Sequence, residues 1–227
     1  AALNSLKRGV FAKHSIKKGA TISRQDVYFA MPIVEGALGA ESWEQDCCSD
    51  QDYEKDQPLS NAIANYEHPE HQMIEQFVHQ VRGMLQDARI QLKQPICFEL
   101  SHHYGIKRFR EFGAVLINII NREYCKKLII QLPRQKHPYH HHKRKEETFH
   151  VLYGSMEIEV EGNTYLLDEG DLFLVEKNKW HKFSSMHGVI FEEISTTHHK
   201  NDSYYEDPQI NRATLEQRKT NYTIFAA

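Results

Sequence analysis

The chain has 227 residues and a formal net charge of −3, with both signs mixed along its length. That balance argues against a nucleic-acid or membrane-surface protein, which would concentrate positive charge. Hydrophobic residues make up 40%, enough to bury a core in one large or two small domains, and no apolar run is long enough to span a bilayer.

Residues 6 to 31 read as a compact β unit. Val10–Ala12 is a short strand, Gly19 centres a turn, and Ser23 caps a helical turn with Asp26 at the capping-box distance. A second strand, Tyr28–Met31, is ended by Pro32. Residues 35 to 66 lack periodicity and read as loop with short elements around Pro58-Leu59-Ser60.

Residues 68 to 92 change character. Met73, Ile74, Phe77, Val81, Met84, Leu85 and Ala88 recur at spacings of three and four, which predicts an amphipathic helix entered after Pro69. We expect it to connect two β units and pack between them. From Ile96 onward β-branched runs dominate, at 113–120, 127–132, 157–161, 164–167, 171–175 and 189–194, with a turn at Gly162-Asn163. Short strands with regular turn signals predict an antiparallel sandwich or barrel. Residues 208 to 227 are polar and read as a tail. The expected division is 1–66, a connecting helix at 67–95, a β domain at 96–207 and the tail.

Four cysteines, Cys47, Cys48, Cys97 and Cys125, form no CxxC pair, and residues 1 to 8 lack the pattern of a signal peptide. Reduced thiols in a cytoplasmic protein are expected. The chain opens without methionine and closes on Phe225-Ala226-Ala227, so we expect a piece of a longer polypeptide.

The chemistry concentrates between His137 and His181. Side chains alternate faces along a strand, so His140 and His142 point one way and His141 the other. A bend at Lys143-Arg144-Lys145 would return Glu147 to the same interior, and Glu146 competes for that role. Gly154 and Gly170 supply turns, and His181 follows Gly170 by eleven residues. Three imidazoles and one carboxylate suit a first-row divalent metal, and such a metal can polarise the oxygens of a small substrate. The chain has 15 histidines. We expect His137, His141, His150, His187, His198 and His199 to be surface groups or supports for the ligands.

The pattern His140-x-His142, Glu147, Gly154, then Gly170 and His181 resembles the two motifs of the cupins. The resemblance implies a mainly β fold, the double-stranded β-helix or jelly roll, with those four side chains as metal ligands. Glu176 stands where that family commonly has proline, and Asn178 where it has glycine. Asn tolerates left-handed φ, so the turn before His181 survives. Ser185 replaces a common asparagine.

The segments 121–128, 145–149 and 193–197, with Asn201-Asp202 and Glu206-Asp207-Pro208, resemble the D-lyxose isomerase branch over roughly residues 97 to 210. That implies a divalent metal, Mn first with Zn, Fe, Ni and Co as alternatives, and aldose–ketose isomerisation of a small sugar. Glu193 would be the general base. Lys145 would hold a sugar hydroxyl or stabilise the ene-diolate, or it is a solvated loop charge.

Residues 6 to 32 resemble the SAF, or antifreeze-like, domain that follows the catalytic barrel of sialic acid synthases. The resemblance implies that Arg8 reaches a sugar in a partner's active site, and it implies an amino-terminal synthase barrel as a partner and a homodimer. Three readings follow: a metal cupin acting on sugars in nonulosonic acid biosynthesis, a non-catalytic dimerisation or sugar-sensing module with a vestigial site, and, last, a dioxygenase.

Overall fold

A computed structural model describes residues 6–66, 69–93 and 95–224. The two chain ends discussed above, and residues 67, 68 and 94 of the connecting segment, lie outside the described residues. The chain forms two compact units, residues 1–72 and 73–227.

The first unit pairs β1 (Gly9–Ala12) with β3 (Val27–Ala30), and β2 (Thr21–Ile22) with β4 (Cys47–Cys48). Val10, Ala12, Ile22, Val27, Leu38 and Leu59 make its core. Asp26 accepts from the Ser23 backbone and hydroxyl at 2.8 and 2.6 Å, so the capping partnership forms. It closes a turn, and the chain goes directly into β3 rather than into a helix. The segment expected to be loop carries short 3-10 turns at Ala40–Ser42 and Asn61–Asn65.

The helix α1 (Pro69–Asp87) begins at the end of the first unit and runs into the second, where it precedes the strands β5 (Ile96–Ser101), β6 (Ala114–Asn121), β7 (Tyr124–Gln131), β8 (His140–His141) and β9 (Glu147–Gly154). These are followed by β10 (Met156–Val160), β11 (Asn163–Leu167), β12 (Leu172–Val175), β13 (His181–Ser184), β14 (Val189–Thr196) and β15 (Tyr204–Tyr205). The chain then runs through α2 (Pro208–Arg212) and α3 (Leu215–Arg218) into β16 (Lys219–Ile224). One antiparallel sheet has the order β12-β9-β14-β7-β6-β5-β16 and the other β11-β10-β13-β8-β15. Ile129, Phe149, Val151 and Phe191 of the larger sheet share one apolar cluster with Met156, Ile158 and Phe183 of the smaller.

β7 is buried on both faces, which explains its continuous apolar run. Ile129 enters the cluster between the sheets, while Leu128, Ile130 and Leu132 join Phe77, Val78, Val81 and Leu85 of α1. The helix therefore places its apolar stripe on the outer face of the larger sheet. Burying each such side chain stabilises by roughly 1.5–3 kcal/mol.

Gly154 sits at φ +77, and a Cβ there would lie 2.4 Å from the Gly188 carbonyl oxygen, so the motif glycine is sterically required. Between β10 and β11 the turn is Glu161-Gly162, with φ of 50 and 81. That is one residue earlier than expected and fits a two-residue primed hairpin.

The expected tail gives way to ordered structure over 208–224. Asp207 caps α2 by accepting from the Gln209 N–H at 2.8 Å. Thr214 and Gln217 form a capping box on α3, and β16 pairs with β5 along its length. Among the described residues no helix is long and apolar enough to cross a membrane.

Candidate metal centre

Registry brings the four candidate ligands together. His140 pairs with His181 across β8 and β13, and β9 begins at Glu147. The ligand atoms of His140, His142, Glu147 and His181 all lie within 4.8 Å of one another, and all four residues are buried. His141 points away, stacked on Tyr204 at 5.2 Å. Glu146 is exposed, so the inward carboxylate is that of Glu147.

Each imidazole is oriented by a backbone carbonyl. Nδ1 of His140 donates to Pro138 O at 3.0 Å, that of His142 to Asp202 O at 2.6 Å, and that of His181 to Lys179 O at 3.0 Å. A carbonyl only accepts, so each Nδ1 carries hydrogen and each Nε2 lone pair is left for the centre. Such outer hydrogen bonds are the usual support of ligating histidines. His142 Nε2, His181 Nε2 and Glu147 Oε2 are buried without a hydrogen-bond partner, although the last two lie 3.1 Å apart. Leaving such atoms unpaired costs about 1–3 kcal/mol each, a cost that a coordinated cation removes. The donor set therefore fits a divalent metal.

Asn178 adopts φ 64, the left-handed turn expected of it, and its N–H donates to His142 O at 2.6 Å. The turn before His181 is thereby tied to the histidine pair.

Beside the ligands lies a buried charge cluster. Lys145 Nζ is 2.5 Å from Glu147 Oε1 and 2.8 Å from Glu193 Oε1. Lys145 is only 2% exposed, so it is not a solvated loop charge. Burial works against its ammonium, but Glu147 and Glu193 hold its pKa above the ordinary lysine value. Burial also opposes ionisation of Glu147, yet Lys145 and His142 hold its carboxyl well below the usual range. Glu193 is held down to about 2, with burial opposed by Lys127 and Lys145. Burial pushes the His140 imidazole well below its ordinary value. Glu192 faces the other way, 2.6 Å from Lys126.

Two cavities meet at this cluster. The inner one, about 60 Å³, is lined by the four ligand positions except His181, and by Lys145, Glu193 and Tyr205. The outer one, about 420 Å³, includes Glu99, Asn118, Asn121, Lys200, Glu216 and Asn221. Leu116, Lys127, His198 and Lys219 line both. Only the outer cavity reaches the size usual for small-molecule sites, roughly 300–1,000 Å³.

Sequence reasoning did not single out Lys127 or Tyr205, and it left His137 and His198 as surface groups or supports. His137 stacks on Phe183 at 4.5 Å beside His140, and His198 Nδ1 is 3.4 Å from Lys127 Nζ. His150 lies on the outer face, 3.7 Å from Glu192. Arg8 lies in the first unit, exposed where the chain enters β1.

Comparison with known proteins agrees with this architecture. Residues 128–191 match the family model described as "Cupin domain". Among solved structures, the L-ribose isomerase of Geodermatophilus obscurus superposes with a TM-score of 0.53 at 14% identity, covering 62% of this chain and 93% of that one. The Cellulomonas parahominis L-ribose isomerase, solved with L-psicose, gives 0.50 at 15% identity over 62% and 94%. An Acinetobacter sp. DL28 L-ribose isomerase mutant, in complex with L-ribose, gives 0.50 at 14% identity over 65% and 94%. These likenesses concern the fold. A comparison with curated proteins finds no match. The second unit of the chain thus carries a cupin domain, folded as a double-stranded β-helix around the four converging side chains.

Proposed function

We propose that this protein is a metal-dependent aldose–ketose isomerase, with His140, His142, Glu147 and His181 holding a divalent ion, Mn²⁺ first among candidates. The observation that supports this best is the convergence of four ligand atoms beside a buried, ionised carboxylate. A metal held there would polarise a sugar's carbonyl and neighbouring hydroxyl oxygens. Glu193, ionised at neutral pH, would take a proton from one carbon and return it to its neighbour. Lys145 would offset the negative charge developing on the sugar oxygens. Turning its ammonium toward the substrate would cost Glu193 a partner and raise its basicity. The inner cavity would hold the reacting atoms and the outer cavity the rest of the sugar.

The test is exchange of the C2 proton of aldoses and ketoses with solvent by the Mn²⁺-loaded protein. Glu193→Gln should bind metal as before and lose exchange. Exchange undiminished by that change would remove Glu193 from its role.

A second reading, a sugar-sensing or dimerising module, is favoured by one feature: the two lysines that neutralise Glu193 make it a weak base. Sugar binding with no exchange by the unaltered protein would select it. In the first unit, the SAF resemblance supports a link to a sialic acid synthase-like parent in which Arg8 contacts a sugar. An Arg8→Ala parent with unchanged acceptor KM would discard that link.

A further inference from the structure

We propose that Asp202 is the positioning residue that sets both halves of the metal centre at once; the proposal rests on the metal-binding reading above. Asp202 is 2% exposed and lies on the segment between β14 and β15, far in sequence from the ligands it serves. Its backbone carbonyl accepts the His142 Nδ1–H at 2.6 Å. That bond selects the tautomer whose Nε2 lone pair faces the centre and fixes the plane of the ring.

The carboxylate acts on the other half. Its oxygens accept three consecutive backbone N–H groups: Lys143 at 3.2 Å, Arg144 at 3.0 Å and Lys145 at 3.1 Å. Successive N–H groups turned toward one anion form a concave nest, and hydrogen bonds to a charged acceptor are the stronger kind. The nest is the bend that the spacing from His142 to Glu147 requires. Closing it delivers Lys145 between Glu147 and Glu193, and it starts β9 at Glu147. One residue therefore orients a ligand on one side of the bend and places the ligand and the lysine on the other.

The segment that carries Asp202 is itself anchored. The His198 N–H donates to Asn121 Oδ1 at 2.9 Å, the Asn121 amide donates back to His198 O at 3.1 Å, and the Asp202 N–H donates to His199 O at 3.1 Å. Asp202 is thus held from its own side, and it can hold the bend rather than follow it.

The experiment uses the full chain as Asp202→Ala and Asp202→Asn. Two quantities are read: the Mn²⁺ dissociation constant by competition against a chelator, and the proton NMR signal of the His142 Nδ1–H in metal-free protein. Neither substitution removes the carbonyl that His142 meets; loss of the carboxylate frees the bend from the segment that carries Asp202, so alanine is expected to loosen the His142–carbonyl bond and to weaken Mn²⁺ binding roughly 10-fold. Asparagine keeps one acceptor oxygen and should fall between, with partial protection of the imidazole proton. Mn²⁺ affinity within about twofold of the unaltered protein, with the imidazole proton still protected, would overturn the proposal. A residue that merely stabilised the loop would lower the melting temperature and leave both readouts unmoved. Should alanine not fold, asparagine decides by the same criterion. An unaltered protein that binds no Mn²⁺ would instead remove the metal reading, and the imidazole signal would still report on Asp202.

Discussion

Lys127 and Glu193 face each other inside the larger sheet: Nζ lies 3.0 Å from Oε1, and the side chains are only 4% and 6% exposed. Removing one partner of such a pair leaves an uncompensated buried charge, which costs about 3–5 kcal/mol. Lys145 remains beside Glu193 at 2.8 Å, so the lower end applies. Lys127→Met should therefore destabilise the second unit by about 3 kcal/mol in urea unfolding. The double variant Lys127→Met/Glu193→Gln should cost less than the sum of the singles, by about 1–3 kcal/mol. Additive single effects would show that the two charges are not coupled.

Strand alternation and two glycines leave few ways to arrange His140, His142, Glu147 and His181, and the structure gathers those four side chains. Resemblance singles out Glu193, and its burial agrees with the alternation that turns Glu192 outward. Lys127 was legible by the same logic, since it stands two residues before the inward-facing Ile129; the neighbouring Lys126 obscured which lysine points in. Burial of Lys145 was not legible. It depends on Asp202, which is 57 residues away, and no local pattern reports a contact of that range. The ordering of 208–224 escaped for a different reason. Its elements are short and polar, and they are held by caps and by pairing with β5 rather than by an apolar stripe.

Metal loading should stabilise the protein by mass action, because the unfolded chain does not gather the four ligands. At a free Mn²⁺ concentration one hundred times its dissociation constant, the gain is about 2.7 kcal/mol. That corresponds to a rise of roughly 5–10 °C in the melting temperature of a unit this size. His181→Ala should abolish the rise, since it removes one of the four converging donor atoms. A shift of equal size in that variant would place the ion elsewhere.

Gly154→Ala tests the steric argument at the hairpin that follows the Glu147 strand. The left-handed backbone costs an alanine about 1–2 kcal/mol. The new methyl group would also meet the Gly188 carbonyl oxygen at 2.4 Å, against backbone that cannot swing aside. A loss of at least about 2 kcal/mol is expected in denaturant unfolding. A neutral result would mean that β9 and the Gly188 turn can separate without cost.

The pH dependence of metal-free stability separates two groups by their windows. Burial, with Lys127 and Lys145 nearby, pushes the His198 imidazole down to about 3 from an ordinary value of 6.5. Below pH 6.5 the unfolded chain therefore binds a proton that the folded chain refuses, and stability falls as pH drops from 6.5 toward 3. Glu193 behaves as a depressed carboxylate. Its contribution is present above its ordinary value of 4.5 and is lost as pH falls through about 2. The melting temperature should begin to decline near pH 6.5, well before any carboxylate titrates. His198→Gln should lessen the decline between pH 6.5 and 4.5 by that residue's share, with the buried His103, His137 and His140 imidazoles supplying the rest, and leave the more acidic limb in place. A curve that stays level down to pH 4.5 in the unaltered protein would show that the buried imidazoles, His198 among them, accept their protons in the folded state as readily as in the unfolded one.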